Sequence, residues 1–175
     1  MNKKAKTKAM KDEPAIHCSH SKVVSLDKLR PNPRNPNTHP ERQIDLLAKI
    51  IKQQGWRRPI VVSKRSGYIV AGHGRLQAAI KAGCKVAPVD MQDYASEALE
   101  YADLLADNHI AELAEMDNAM MKDLLQDLDS GDMDMDLTGF DEKELESIMT
   151  ATMPDDKTEQ GNMVTCPSCG KVFAP

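Results

Sequence analysis

The sequence predicts an α+β fold: a small mixed sheet with packed helices, followed by acidic helices and a Cys-x-x-Cys tail. Three observations carry this. Short Val/Ile runs bounded by Gly and Pro alternate with longer segments whose apolar residues recur at helical spacing. Charge is sharply divided: residues 12–96 hold 14 Lys/Arg against 7 Asp/Glu, whereas 97–150 hold 2 against 17. Two closely spaced cysteines, Cys166 and Cys169, follow a polar stretch.

The elements follow in order. Residues 1–21 read as a basic flexible arm, with five Lys and no acid in 1–11 and His17-Cys18-Ser19-His20 at its end. Val23 to Leu26 suits a short strand. Pro31, Pro33, Pro36 and Pro40, mixed with Asn, forbid a helix and describe an extended loop. Ile44, Leu47, Ala48 and Ile51 then mark one face of a helix that Gly55 stops. Pro59 to Ser63 and Tyr68 to Ala71 form a hairpin about the turn Lys64-Arg65-Ser66-Gly67. Gly72-His73-Gly74-Arg75 leads into a helix with Leu76, Ala79 and Ile80 inward, ended by Gly83. Val86 to Met91 is a further strand, and Cys84 before it reads as a small buried hydrophobe.

From Ala95 to about Glu115 the pattern is helical again, with Leu99, Ala102, Ala106, Ile110 and Leu113 on one face. Asp117 caps a helix bearing Met121, Leu124 and Leu128. Asp132 to Asp136 reads as a solvated linker. Asp141 with Glu144 makes a capping box for a last helix, Phe140 being placed to staple to Leu145. The segments are therefore 1–21, 22–115, 116–150 and 151–175. With 3% aromatic residues, the core must come from Val, Ile, Leu, Ala and the 11 Met. No apolar run approaches the roughly 18–20 residues that span a bilayer, and no apolar stretch follows the Lys-rich start. We expect a cytoplasmic protein without membrane contact.

The chemistry points to residues 72–75. Two glycines between a strand and a helix allow close backbone approach to a ligand, and the free N–H groups of a helix start attract anions. Arg75 offers charge-assisted bonds to phosphate. His73 can donate to phosphate or titrate near neutral pH. A tight turn with no ligand is the alternative. Arg57 and Arg58 are either nucleic-acid contacts or an ordinary basic surface over a packed Trp56. Cys166 and Cys169 make half a tetrahedral zinc site whose other ligands would come from His17, Cys18, His20 or a second chain; a redox pair or an empty knuckle is the alternative.

Along most of 23–112 the order of features resembles the N-terminal domain of ParB-type DNA partition proteins, the ParB/sulfiredoxin family. Val24 to Pro33 is similar to the family's opening strand and Asn-Pro loop. Ile44 to Gly55 is similar to its first helix, and Pro59-Ile60-Val61-Val62 to the strand that follows. Ala71-Gly72-His73-Gly74-Arg75-Leu76 stands where those proteins carry a Gly-Glu-Arg-Arg phosphate box, and Leu105-Ala106-Asp107-Asn108 where they carry an acidic-Asn pair. The resemblance implies nucleotide phosphates at Gly72, His73, Gly74 and Arg75, and magnesium at Asp107 and Asn108, with CTP or ATP as the nucleotide. His73 replaces the family's Glu and Gly74 its first Arg. This variant box, with Leu137-Thr138-Gly139-Phe140-Asp141, resembles a phage and prophage branch whose domains stand alone or ahead of a DNA methyltransferase.

The resemblance implies a DNA-associated accessory protein linked to DNA partition or modification. Its expected partners are DNA, nucleotide, a DNA methyltransferase or other phage protein, and a second copy of itself. The alternatives are a ParB-like nuclease or NTP hydrolase, and a non-enzymatic interaction module using its acidic helices. The chain lacks an Asp/Asn-Pro-Pro-Tyr/Phe motif, so methyltransferase chemistry is not expected; sulfiredoxin needs a Cys where His73 stands. No helix-turn-helix is expected after Glu112, because no basic recognition helix is visible there.

Overall fold

The structure is a computed structural model, and it describes residues 13–150 and two short strands at 164–165 and 172–173. Four strands form one sheet. They are β1 (Lys22–Ser25), β2 (Ile60–Ser63), β3 (Ile69–Ala71) and β4 (Val86–Gln92), in the order β1-β4-β2-β3. β1 runs antiparallel to β4, β4 parallel to β2, and β2 antiparallel to β3. The expected mixed sheet is therefore present, with the hairpin on one side and β1 on the other.

Helices α1 (Glu41–Gln54) and α2 (His73–Ala82) pack against each other and against the sheet. Ile44, Ala48 and Ile51 of α1 are buried, as their spacing predicts, beside Leu76, Ala78 and Ala79 of α2. Ile60, Val62, Ile69, Ala87 and Val89 supply the sheet's side of the core, with Trp56 beneath the end of α1. Among the described methionines, Met91 is the one that packs against this core; β-branched residues and alanine fill it well enough to leave the flexible side chains outside. Ile80 is the exception on α2. It is 60% exposed, because the ridge at 76 and 79 already meets α1.

Residues 13–21 are more tightly held than an arm. His17 N–H donates to Trp56 O at 2.9 Å, Trp56 N–H to Ala15 O at 2.7 Å, and Ser21 N–H to Val89 O at 2.8 Å. Gly55 permits this crossing: its φ is +73°, and a Cβ there would stand 2.3 Å from Ala15 O.

Helix α3 (Glu97–Glu112) begins at Ser96, whose hydroxyl accepts from Leu99 N at 3.2 Å. The face expected to be buried points outward: Leu99, Ile110 and Leu113 are exposed, and the buried residues are Glu100 and Leu104. The periodicity locates the helix; a buried acid on the inner face hides which side faces the core. Beyond it lie α4 (Asn118–Leu128), capped by Asp117, and α5 (Glu142–Thr150), opened by the expected reciprocal bonds between Asp141 and Glu144 at 2.7 Å each. On α4, Leu125 is buried and Leu124 is exposed.

The chain divides into two compact units, residues 1–115 with 134–139, and residues 116–133 with 140–175. Of the expected linker at 132–136, residues 134–136 belong to the first. A 3₁₀ turn at Met135–Thr138 lies on α1, where Lys49 pairs with Asp134 at 2.8 Å and with Asp136, and Gln53 donates to Asp134 at 3.1 Å. In the second unit, β5 (Val164–Thr165) pairs antiparallel with β6 (Val172–Phe173). No described helix is long and apolar enough to cross a membrane.

Candidate nucleotide-phosphate site

β3 ends at Ala71, and α2 begins at His73. Gly72 makes the turn between them with φ +98° and ψ 28°, a left-handed conformation open to glycine at low cost. A second constraint acts here: a Cβ on Gly72 would stand 2.9 Å from Nη2 and 3.1 Å from Nε of Arg75. The guanidinium thus folds back over the turn. Its Nε is buried and has no hydrogen-bond partner. Burial pulls the Arg75 pKa below its ordinary value, Asp107 draws it back up, and Arg58 pushes it down again. A guanidinium remains charged under such shifts.

His73 is 8% exposed. Its Nε2 lies 3.1 Å from the backbone N–H of Asn32, which can only donate. Nε2 is therefore the acceptor, and the neutral ring carries its proton on Nδ1. Burial first, and His39 second, lower its pKa. Of the two roles expected for His73, the geometry favours a fixed neutral donor over a group that charges near neutral pH.

A cavity of about 200 Å³ opens in front of this turn. Gly72, His73, Gly74 and Arg75 line it, and so do Asp107 and Asn108 of α3. The two segments lie more than thirty residues apart in sequence and face one space. Asn108 Nδ2 donates to Leu104 O at 3.0 Å, which leaves its Oδ1 for a ligand. α3 is set in place from its other end. The buried Glu100 accepts from Ser63 Oγ at 2.9 Å and from Ser66 Oγ, and Arg65 lies 3.8 Å away, so α3 is tied to the β2–β3 turn.

Further wall residues were not anticipated: Asn35, Asn37, His39 and Gln43, from the Pro/Asn loop and the first turn of α1. The sequence signal was the density of Asn and His in a loop that must run close to the helix start. Arg57 and Arg58 are exposed and stand outside this cavity. They line a neighbouring cleft of about 290 Å³ with Trp56 and Leu47, and Arg75 belongs to both spaces. Cys166 and Cys169 lie outside the described residues. Among the described residues, no three His, Cys, Asp or Glu side chains gather as metal ligands. His20 Nδ1 instead meets Cys18 O at 2.9 Å, and burial raises the Cys18 pKa.

A glycine turn, an arginine whose Nε is buried without a partner and a facing Asp-Asn pair line one cavity of an α+β domain. Comparison with known proteins places the chain in a family. The profile of the ParB N-terminal domain matches residues 10–109, more than half of the sequence, and the chain belongs to that family. It is 33% identical over 104 residues to the chromosome-partitioning protein Spo0J of Thermus thermophilus, covering 58% of this chain and 35% of that one. It is 43% identical over 54 residues to the ParB-like nuclease domain-containing protein YnaK of Escherichia coli, covering 31% of this chain and 61% of that one. The chain thus spans less than two thirds of either relative. In fold it is similar to C-terminally truncated ParB of Caulobacter crescentus complexed with CTP-γ-S, with TM-score 0.60, 21% identity, and coverage of 73% and 76% of the two chains.

One expectation is overturned. The profile of the ParB-methyltransferase HTH domain matches residues 119–167, a range that takes in α4 from its second residue and the whole of α5. Each of those helices carries a single cation, Lys122 or Lys143. Looking for a basic recognition helix therefore missed a domain whose signature is its helix pattern.

Proposed function

We propose that this protein is a DNA-associated accessory factor whose ParB-type domain binds a nucleoside triphosphate with magnesium, CTP or ATP, in the cavity between α2 and α3. The observation that carries the reading is Arg75: a half-buried charge whose Nε is buried and lacks a partner, on the wall of a cavity beside Gly72. A buried unpaired donor is costly and calls for an acceptor. Phosphate oxygens supply one. The residues fit the nucleotide in kind. Gly72 and Gly74 let the side chains of Arg75 and His39 lie against the turn, His73 presents an N–H donor, and Asp107 with the Oδ1 of Asn108 offers the hard oxygen ligands that magnesium takes alongside phosphates.

The basic first half of the chain and the HTH-type segment at 119–167 support a DNA partner. Arg57 and Arg58 are the cations we assign to phosphate contact. The ParB-methyltransferase type of that segment favours a role in DNA modification, with a methyltransferase as protein partner; a phage or mobile-element setting rests on the resemblance of the variant box at 72–75. The same nucleotide would switch a surface or a self-association.

The test is calorimetric titration of the full chain with CTP and ATP plus magnesium, with Arg75→Ala as control. Saturable binding lost in the variant is the expected result and names the base. No heat from the wild type at millimolar nucleotide would overturn the reading. Release of inorganic phosphate in the same mixtures would decide between binding and hydrolysis.

A further inference from the structure

Position 74 is a glycine inside the first turn of α2, where an ordinary residue would be the better helix former. Its backbone does not require glycine, since its φ is not positive. The space does. A Cβ built there would stand 3.2 Å from Nδ1 and 3.3 Å from Cε1 of His39, and 3.4 Å from Leu47. The ring of His39, from the loop ahead of α1, is pressed against the bare backbone of the anion-binding turn. It also lines the cavity, next to Gln43, whose Oε1 is 3.0 Å from its Nδ1.

We infer that His39 is a phosphate-binding side chain of this cavity, and that Gly74 is a glycine because His39 occupies the volume a side chain at 74 would take. The inference rests on the proposed nucleotide site and adds a ligand to it from a different element. The donor inventory supports it independently. His73 is nine-tenths buried on the same wall, with Nε2 engaged by Asn32 and the ring proton on Nδ1. The titratable groups on the cavity wall are His39, His73 and Arg75 on the basic side and Asp107 on the acidic side. His73 is held neutral by its bond to Asn32, and Arg75 is charged. Nδ1 of His39 is engaged by Gln43, whose side-chain amide can turn to donate to it, and the ring proton on Nε2 is then offered to a phosphate oxygen.

The experiment is calorimetric titration with inorganic triphosphate and with CTP, each with magnesium. His39→Gln should weaken the binding of both about tenfold. Gly74→Ala should weaken binding in the wild type and be harmless in a His39→Ala background, because the ring it displaces is gone. A wild type that binds while His39→Gln keeps its affinity would overturn this inference and leave the nucleotide site standing. A wild type that binds neither ligand would overturn both.

Discussion

Replacing Glu100 with alanine removes the acceptor at the centre of a buried polar cluster. Glu100 is 2% exposed and Ser63 is fully buried. Ser63 Oγ accepts from the backbone N–H of Arg65 at 3.1 Å and of Ser66 at 3.3 Å, and its one proton goes to Glu100 at 2.9 Å. Without Glu100 that proton has no acceptor, at about 1–3 kcal/mol. Ser66 loses a charged partner, the half-exposed Arg65 loses a weak one, and a small void opens beneath α3. We expect a total of about 3 kcal/mol, read as a lower urea midpoint with unchanged slope. Glu100→Gln keeps the acceptor for Ser63 but sets an NH₂ against the other hydroxyl, so it should cost about 1 kcal/mol. Asp107 lies seven residues on, about two turns of the same helix. The alanine variant should therefore bind nucleotide more weakly even where it remains folded. A loss under about 0.5 kcal/mol with full nucleotide affinity would refute the view that Glu100 fixes α3.

Two further outcomes follow from the turn at 72–73. Gly72→Ala must place a Cβ in left-handed backbone and against Arg75; it should lose about 1–2 kcal/mol of stability and most nucleotide affinity, and a variant binding like the wild type would show that Arg75 is not held by the turn. The lowered pKa of His73 makes the unfolded chain take up its proton first as pH falls. Stability should be full above the ordinary histidine value of about 6.5 and be lost as pH drops from there toward the folded value. Urea melts at pH 7.5 and 5.5, about one unit either side, should show this decline, and His73→Asn should reduce it; identical slopes in both proteins would count against a buried neutral His73.

Much of the fold was legible because its signals are local. Ile44, Ala48 and Ile51 mark α1 by spacing alone, Gly55 and Gly83 end their helices, and Asp141 with Glu144 opens α5 as written. The misreadings share a cause. On α3 the outward stripe of Leu99, Ile110 and Leu113 is more hydrophobic than the inward face, since that face spends a position on Glu100. A partner for a buried carboxylate is a long-range fact, and Ser63 lies 37 residues away. The candidate site divides the same way. Residues 72–75 announce themselves by their glycines. Asp107 and Asn108 came only through the resemblance, because an acid and an amide on a helix look like any solvated face. His39 left no separate signal: its role depends on the empty space at Gly74, which appears once α1 and α2 are packed.

The charges of the cavity would couple the two ligands proposed for it. Arg75 is half-buried and Asp107 is exposed, and the two feel each other across the cavity. A polyphosphate alone would satisfy Arg75 while facing the Asp107 carboxylate. A divalent cation alone would meet Asp107 and Asn108 with a guanidinium nearby. Bound together, each ligand removes the repulsion the other meets, and charges a few ångströms apart at an effective dielectric near 20 interact by several kcal/mol. Nucleotide and magnesium should therefore bind interdependently, each tightening the other by the same factor. Calorimetry with and without magnesium measures that factor directly. Asp107→Asn should raise metal-free affinity for triphosphate and abolish most of the magnesium effect. If magnesium changes the affinity of Asp107→Asn as much as it changes that of the wild type, the cation is held elsewhere, and α3 closes the cavity without serving the metal.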